Sequence, residues 1–175
     1  MFLKLSGALA ALALMLTPVA ADAQSAKPTD PQIAHIAYTA GNIDVKAGEL
    51  AVKKTKSKEV LEFAKDMVRD HKAVNEKALA LVKKLNVTPQ DNDISKSLVK
   101  NAKEKEAGLS KLEGKAFDKA YIDNEVAYHK AVNAALKDTL IPSASNAELK
   151  DLLGVALKIF EGHLQHAEHI AASLK

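Results

Sequence analysis

The sequence predicts an all-α protein, a ferritin-like four-helix bundle with a short connecting helix between its second and third long helices. Three observations predict it. Over residues 57–86 the apolar residues recur as a heptad, with Val60, Met67, Val74 and Leu81 in one row and Ala64, Ala78 and Leu85 in the other. Rows spaced by three, four and seven residues share one helix face. Three other segments repeat this pattern, so four amphipathic faces are available to bury one another. A long connection separates the second of them from the third, as in bundles with one crossover. A plain up-down-up-down bundle, with the connecting helix packed at one end, is the alternative topology.

Taken in order, residues 1–23 read as a secretory signal peptide. Lys4 precedes a short apolar run from Leu5 to Leu16, and Ala21-Asp22-Ala23 supplies a small-x-small cleavage site, so cleavage is expected after Ala23. The run is shorter than the roughly 20 residues a membrane span takes, and no later stretch is apolar enough to span. Residues 24–30 form a polar tether. The remainder, residues 31–175, is expected to be a single domain, long enough for a core of its own.

Asp30 followed by Pro31 marks the start of the first helix, over residues 31–54. Its stripe is Ile33, Ile36, Ala37, Ala40, Ala47 and Ala51, interrupted by Asp44. Gly41 and Gly48 each weaken the helix by about 1 kcal/mol relative to alanine. Ser57 caps the second helix, and Asn86 closes it in a left-handed conformation with Pro89 soon after. Residues 90–114 give the weakest pattern, a connecting helix broken at Lys103-Glu104-Lys105-Glu106 and stopped by Gly114. The third long helix spans residues 115–141, where Pro142 ends it. Its stripe is Ile122, Val126, Val132, Leu136 and Leu140, with His129 in the gap. Ser145 and Glu148 form a capping box for the last helix. That helix carries Leu149, Ala156 and Ile170 in one row, which His163 completes, and Leu153, Phe160, Ala167 and Leu174 in the other.

Composition excludes several function classes. There is no cysteine, so neither disulfides nor thiolate chemistry is available to an exported chain. A net charge of +3, unchanged by loss of Lys4 and Asp22, is too mild for a dedicated nucleic-acid binder. Tryptophan is absent and aromatic residues make up only 4% of the chain, which argues against stacking platforms for bases or sugars. No Ser-His-Asp set, Gly-rich phosphate loop or nucleophile elbow is present, so nothing supports classical hydrolase or kinase chemistry. The basic corner over residues 53–58 is either a solvated turn or a contact for anionic envelope surfaces.

Each long helix carries one polar residue on its apolar stripe: Asp44, His71, His129 and His163. All four lie near the middle of their helices, so they should converge at one depth whichever way the helices run. One carboxylate and three imidazoles make a ligand set for a single zinc, iron or copper ion. Glu125, one turn before His129, is placed to hold its second nitrogen. Asp70 adjoins His71 but points about 100° away around the helix. His166 is an auxiliary candidate, while His169 should face solvent. Met67 is a copper-compatible neighbour or simply core. A di-iron site of the Glu-x-x-His kind does not fit, because Val68 and Phe160 stand three residues before His71 and His163. The competing reading is a metal-free buried network, with Asp44 accepting from the histidines.

The runs Glu59-Val60, Phe63-Ala64, Met67-Val68 and Asp70-His71 resemble the bacterial domain-of-unknown-function family numbered 4142. So do Phe117-Asp118-Lys119-Ala120-Tyr121 leading to His129, and His163-Leu164 near the end. The resemblance covers about residues 33–174. It implies an exported ferritin-like bundle and no established activity. The family's first-helix acid corresponds to Asp44, and its proline before the last histidine is replaced here near Ile159. Two function readings follow. One is a periplasmic metal-binding bundle, to which a stress role is attached only by conjecture. The other is a non-catalytic interaction protein of the cell envelope with an unidentified partner.

Overall fold

The computed structural model describes residues 27–174, so the expected signal peptide and its cleavage site lie outside the described residues. Five helices follow one another: α1 (Asp30–Lys54), α2 (Lys58–Lys84), α3 (Asp93–Leu109), α4 (Gly114–Ala135) and α5 (Ala147–Ser173). The residues described contain no strand. No helix among them is long and apolar enough to cross a membrane.

Helix starts follow local hydrogen-bond chemistry, with two shifts of one residue. Ser57 caps α2 by accepting from the Val60 amide. Thr29, not Asp30, occupies the cap of α1, and its amide donates to the Gln32 side chain at 3.0 Å. Asn146, not Ser145, caps α5 and accepts from the Leu149 amide. The displaced acid has a tertiary role. The Asp30 carboxylate accepts from the amides of Ser145 and Asn146 at 2.8 and 2.9 Å, tying the starts of α1 and α5 together. Asn86 closes α2 at φ 51°.

The connecting helix is longer and more regular than the sequence predicts. It runs straight through Lys103-Glu104-Lys105-Glu106, which is exposed and composed of good helix formers. Gly114 does not stop it; with φ 56° it opens α4 instead. At its far end α4 does not stop at Pro142. A π-helical turn, Leu136–Leu140, and a last turn, Ile141–Ser143, carry it on. In the π turn the Ile141 amide donates to the Leu136 carbonyl. The wider turn takes the chain past a proline whose ring would otherwise press on the preceding carbonyl.

Two apolar clusters fix the topology. One gathers Ala51 from the end of α1, Val60 from the start of α2, Phe117 from the start of α4 and Ile170 from the end of α5. The other gathers Ile33, Leu81, Leu140 and Leu149 from the opposite ends. α1 and α5 therefore run one way and α2 and α4 the other. α3 carries the chain back along α1, the one-crossover arrangement. The tightest seam joins α1 to α2. A Cβ on Gly48 would lie 2.9 Å from Val68 and 3.1 Å from the Ala64 carbonyl, and one on Gly41 would strike Asn75. Close approach of these two helices is what offsets the helix-weakening glycines.

Candidate metal centre

Between the two apolar clusters lies a polar layer. Asp44 from α1, His71 from α2, Glu125 and His129 from α4, and His163 from α5 are all buried there. The three imidazole rings form a near-equilateral triangle, with centroids 5.4 to 5.7 Å apart. Phe160, one turn before His163, stacks flat on His71 at 4.3 Å and meets His129 edge-on. That ring floors the layer on one side.

Hydrogen bonds decide which nitrogens face inward. His129 Nδ1 lies 3.0 Å from the Glu125 carbonyl oxygen, which can only accept, so Nδ1 carries the proton and Nε2 keeps its lone pair. His163 Nε2 donates to the Asp70 carboxylate at 3.0 Å, leaving the buried Nδ1 with the lone pair. Both free lone pairs belong to buried nitrogens that find no protein partner. Neither nitrogen of His71, neither oxygen of Asp44 and not Oε2 of Glu125 finds one either. Burying so many polar atoms unpaired costs several kcal/mol.

Burial keeps the layer electrically neutral. It pushes the Asp44 carboxyl up to about 8. The Glu125 carboxyl is raised well above its ordinary range by burial and by Asp44 beside it. His71 is lowered well below the usual histidine value by burial and the neighbouring imidazoles. His129 falls to about 4, chiefly through burial. His163 is also lowered by burial, against the pull of Asp70. At neutral pH the histidines are therefore uncharged, as ligation requires, and Asp44 holds a proton.

The donor atoms fall into two groups of three that could hold a metal ion. Asp44 Oδ2 stands 3.3 Å from His71 Nε2 and 3.5 Å from His129 Nε2, without the alignment of a hydrogen bond. An ion bound at about 2.0–2.1 Å by tetrahedral N and O ligands holds those atoms roughly 3.3 Å apart. One nitrogen from each of His71, His129 and His163 also lies within 4.8 Å of the others. A second group, Asp44, Glu125 and His129, meets the same limit.

The remaining sequence candidates fall in different places. Asp70 is nearer the layer than its helical angle predicts, because α5 packs on that flank and brings His163 to it. Glu125 holds the second nitrogen of His129 through its backbone carbonyl, its carboxylate standing off at 3.6 Å. His166 does not reach the layer; it is exposed and edges onto Phe63 at 5.2 Å. His169 is exposed, and Met67 is fully buried in an apolar cluster. Sequence reasoning missed Tyr128, whose hydroxyl donates to the Ala40 carbonyl at 2.8 Å. Phe160, read there only as core, turns out to floor the layer. Both lie within three residues of a stripe histidine, which is the signal that was available.

A family model described as "Domain of unknown function (DUF4142)" matches residues 15–170. The chain belongs to the DUF4142 family. A comparison with curated proteins finds no match to this DUF4142 chain. Among solved structures it is similar to CopM in the Cu(II)-bound form, with a TM-score of 0.65 and 11% identity. That similarity covers 85% of this chain and 99% of the other, and at this identity it speaks for the fold alone.

Proposed function

We propose that this DUF4142 protein is exported and holds one divalent transition-metal ion, copper(II) foremost, in the layer between its two apolar clusters. Asp44, His71, His129 and His163 are the ligands. Glu125 and Asp70 orient His129 and His163 from behind, as carboxylate and carbonyl partners of metal-bound histidines do. The observation that carries this reading is the Asp44 carboxyl oxygen, 3.3 and 3.5 Å from two imidazole nitrogens, about the spacing of ligands on one ion. Nitrogen-rich N/O sites bind copper(II) more strongly than the other divalent first-row ions. The similarity of fold to CopM in the Cu(II)-bound form adds support. Zinc suits the same set, and iron suits it less. Four protein ligands would fill the shell of a tetrahedral ion or the plane of a tetragonal one, which favours holding or buffering the ion over catalysis. The signal-peptide pattern expected over residues 1–23 supports the periplasm as its compartment.

The neutral state of the layer favours one other reading, a metal-free interaction protein of the envelope, because burial alone keeps every member uncharged. Elemental analysis of untagged protein from the periplasm, paired with thermal melts above pH 7, separates the two. The metal reading expects one ion per chain. It also expects about 2.7 kcal/mol of added stability when free metal is 100 times its dissociation constant, and loss of that gain in His71→Leu. A wild-type melt that copper, zinc and iron all leave in place would refute it.

A further inference from the structure

A buried layer needs a way in, and the four seams of the bundle are not equivalent. The α1–α2 seam is shut by Gly41 and Gly48 against Asn75 and Val68. Tyr128 plugs the α1–α4 seam through its bond to the Ala40 carbonyl. The α4–α5 seam is bridged on its outer face by Lys130 and Glu168 at 2.7 Å. The α2–α5 seam, bridged at one end by Lys84 and Glu148 and at the other by Glu59 and Ser173, differs at the layer, where a polar pair runs through it from solvent. The Asp70 side chain is 26% exposed and touches His163, whose side chain is 9% exposed and whose Nδ1 is buried without a partner. Outside, the Arg69 guanidinium grips Asp70 at 2.7 and 3.0 Å and Asp66 at 2.7 Å.

We propose that the α2–α5 seam is the port through which the metal ion reaches the layer. Asp70 takes the cation first, and His163 passes it inward. The inference rests on the metal-binding reading above and adds the route. An arriving divalent cation displaces the Arg69 guanidinium from the Asp70 carboxylate, an exchange of one cation for another at one anion. His163 Nε2 keeps its proton throughout, and the ion moves on to the lone pair of Nδ1. Arg69 is thus a latch: while it holds Asp70, it offsets part of the negative charge of the Asp66 and Asp70 pair that would attract a cation.

Stopped-flow uptake of copper(II) by the metal-free full chain, read from tyrosine emission, tests this. Asp70→Asn should lower the association rate about tenfold, as loss of a steering charge does, and Asp70→Glu should recover most of it. Arg69→Ala, at an exposed position, should raise the rate. Glu168→Gln, on another seam, should leave it unchanged. If Asp70→Asn raises only the dissociation rate, Asp70 merely orients His163 and the port is wrong. Equal slowing in Glu168→Gln would reduce the effect to general surface charge and overturn it as well. Should Asp70→Asn fail to fold by circular dichroism, Arg69→Ala decides alone, and an unchanged or lower rate sinks the proposal. A wild type that takes up no copper removes the metal reading and the port together; a wild type that loads isolates the port for judgement.

Discussion

The two sides of the polar layer use the same residue types to opposite effect. On the α1–α4 side, Asp44 and Glu125 are buried with no cation beside them, and burial drives both carboxyls toward their neutral forms. On the α2–α5 side, burial also opposes charge on Asp70, but hydrogen bonds from Arg69 and His163 hold its carboxyl below the ordinary value. One aspartate is therefore protonated at neutral pH and the other ionised. Both are helical aspartates, each beside an imidazole nitrogen. What separates them is a cation and some solvent, which the α2–α5 seam provides and the α1–α4 side does not.

Leucine substitutions should expose this contrast most strongly. In metal-free protein, His163→Leu removes one of the two partners of an ionised, partly buried Asp70 and should cost about 1–3 kcal/mol. His71→Leu removes a ring whose nitrogens bond to nothing in the protein. It replaces a buried polar group by an apolar one and should be neutral or stabilising. Urea melts of the two variants without metal check the pair. Equal losses in both would mean that the two sides do not differ as described.

A smaller effect lies in the pH dependence. The raised carboxyl of Asp44 favours the folded state while protonated, so its contribution is present at low pH and lost as pH rises toward about 8. The lowered histidines work the other way. Their contribution is present above the usual histidine range and lost as pH falls toward the value of about 4 at His129. Above about pH 7.5, where the histidines of the unfolded chain have also lost their protons, only the carboxyl side titrates. Metal-free stability should then fall with rising pH, by up to about 1.4 kcal/mol per unit for Asp44. Asp44→Asn should flatten that slope in melts run at several pH values. Metal affinity should move oppositely, strengthening over the same interval, because the ion must displace the Asp44 proton.

The convergence of Asp44, His71, His129 and His163 was readable from the sequence, because a heptad fixes the facing of each residue and mid-helix placement fixes its depth. The helix count and the crossover were readable for the same reason. Asp70 was under-rated because an angle measured around α2 says nothing about which neighbour fills that flank. His166 was over-rated because a step of three from His163 turns it to solvent, with its ring against Phe63 of an apolar cluster. The shifted caps at Thr29 and Asn146 reflect Asp30 being used between helices, a tertiary choice no local motif records. The run through residues 103–106 misled because alternating Lys and Glu lack periodicity yet form helix readily on an exposed face. The passage beyond Pro142 depended on a π turn, for which the sequence carries no pattern.

The central claim is that Asp44, His71, His129 and His163 share one ion. A copper(II) titration of the wild type and of His129→Leu, followed by electron paramagnetic resonance, tests it most directly. His129 is the residue common to both groups of converging donor atoms. The account predicts one copper signal in the wild type, saturating at one ion per chain, with hyperfine structure from three imidazole nitrogens. In His129→Leu that signal should lose nitrogen coupling, and the ion should bind at least about 100-fold more weakly, a difference of about 2.7 kcal/mol. An identical signal and affinity in His129→Leu would contradict the account and place any bound copper outside the layer.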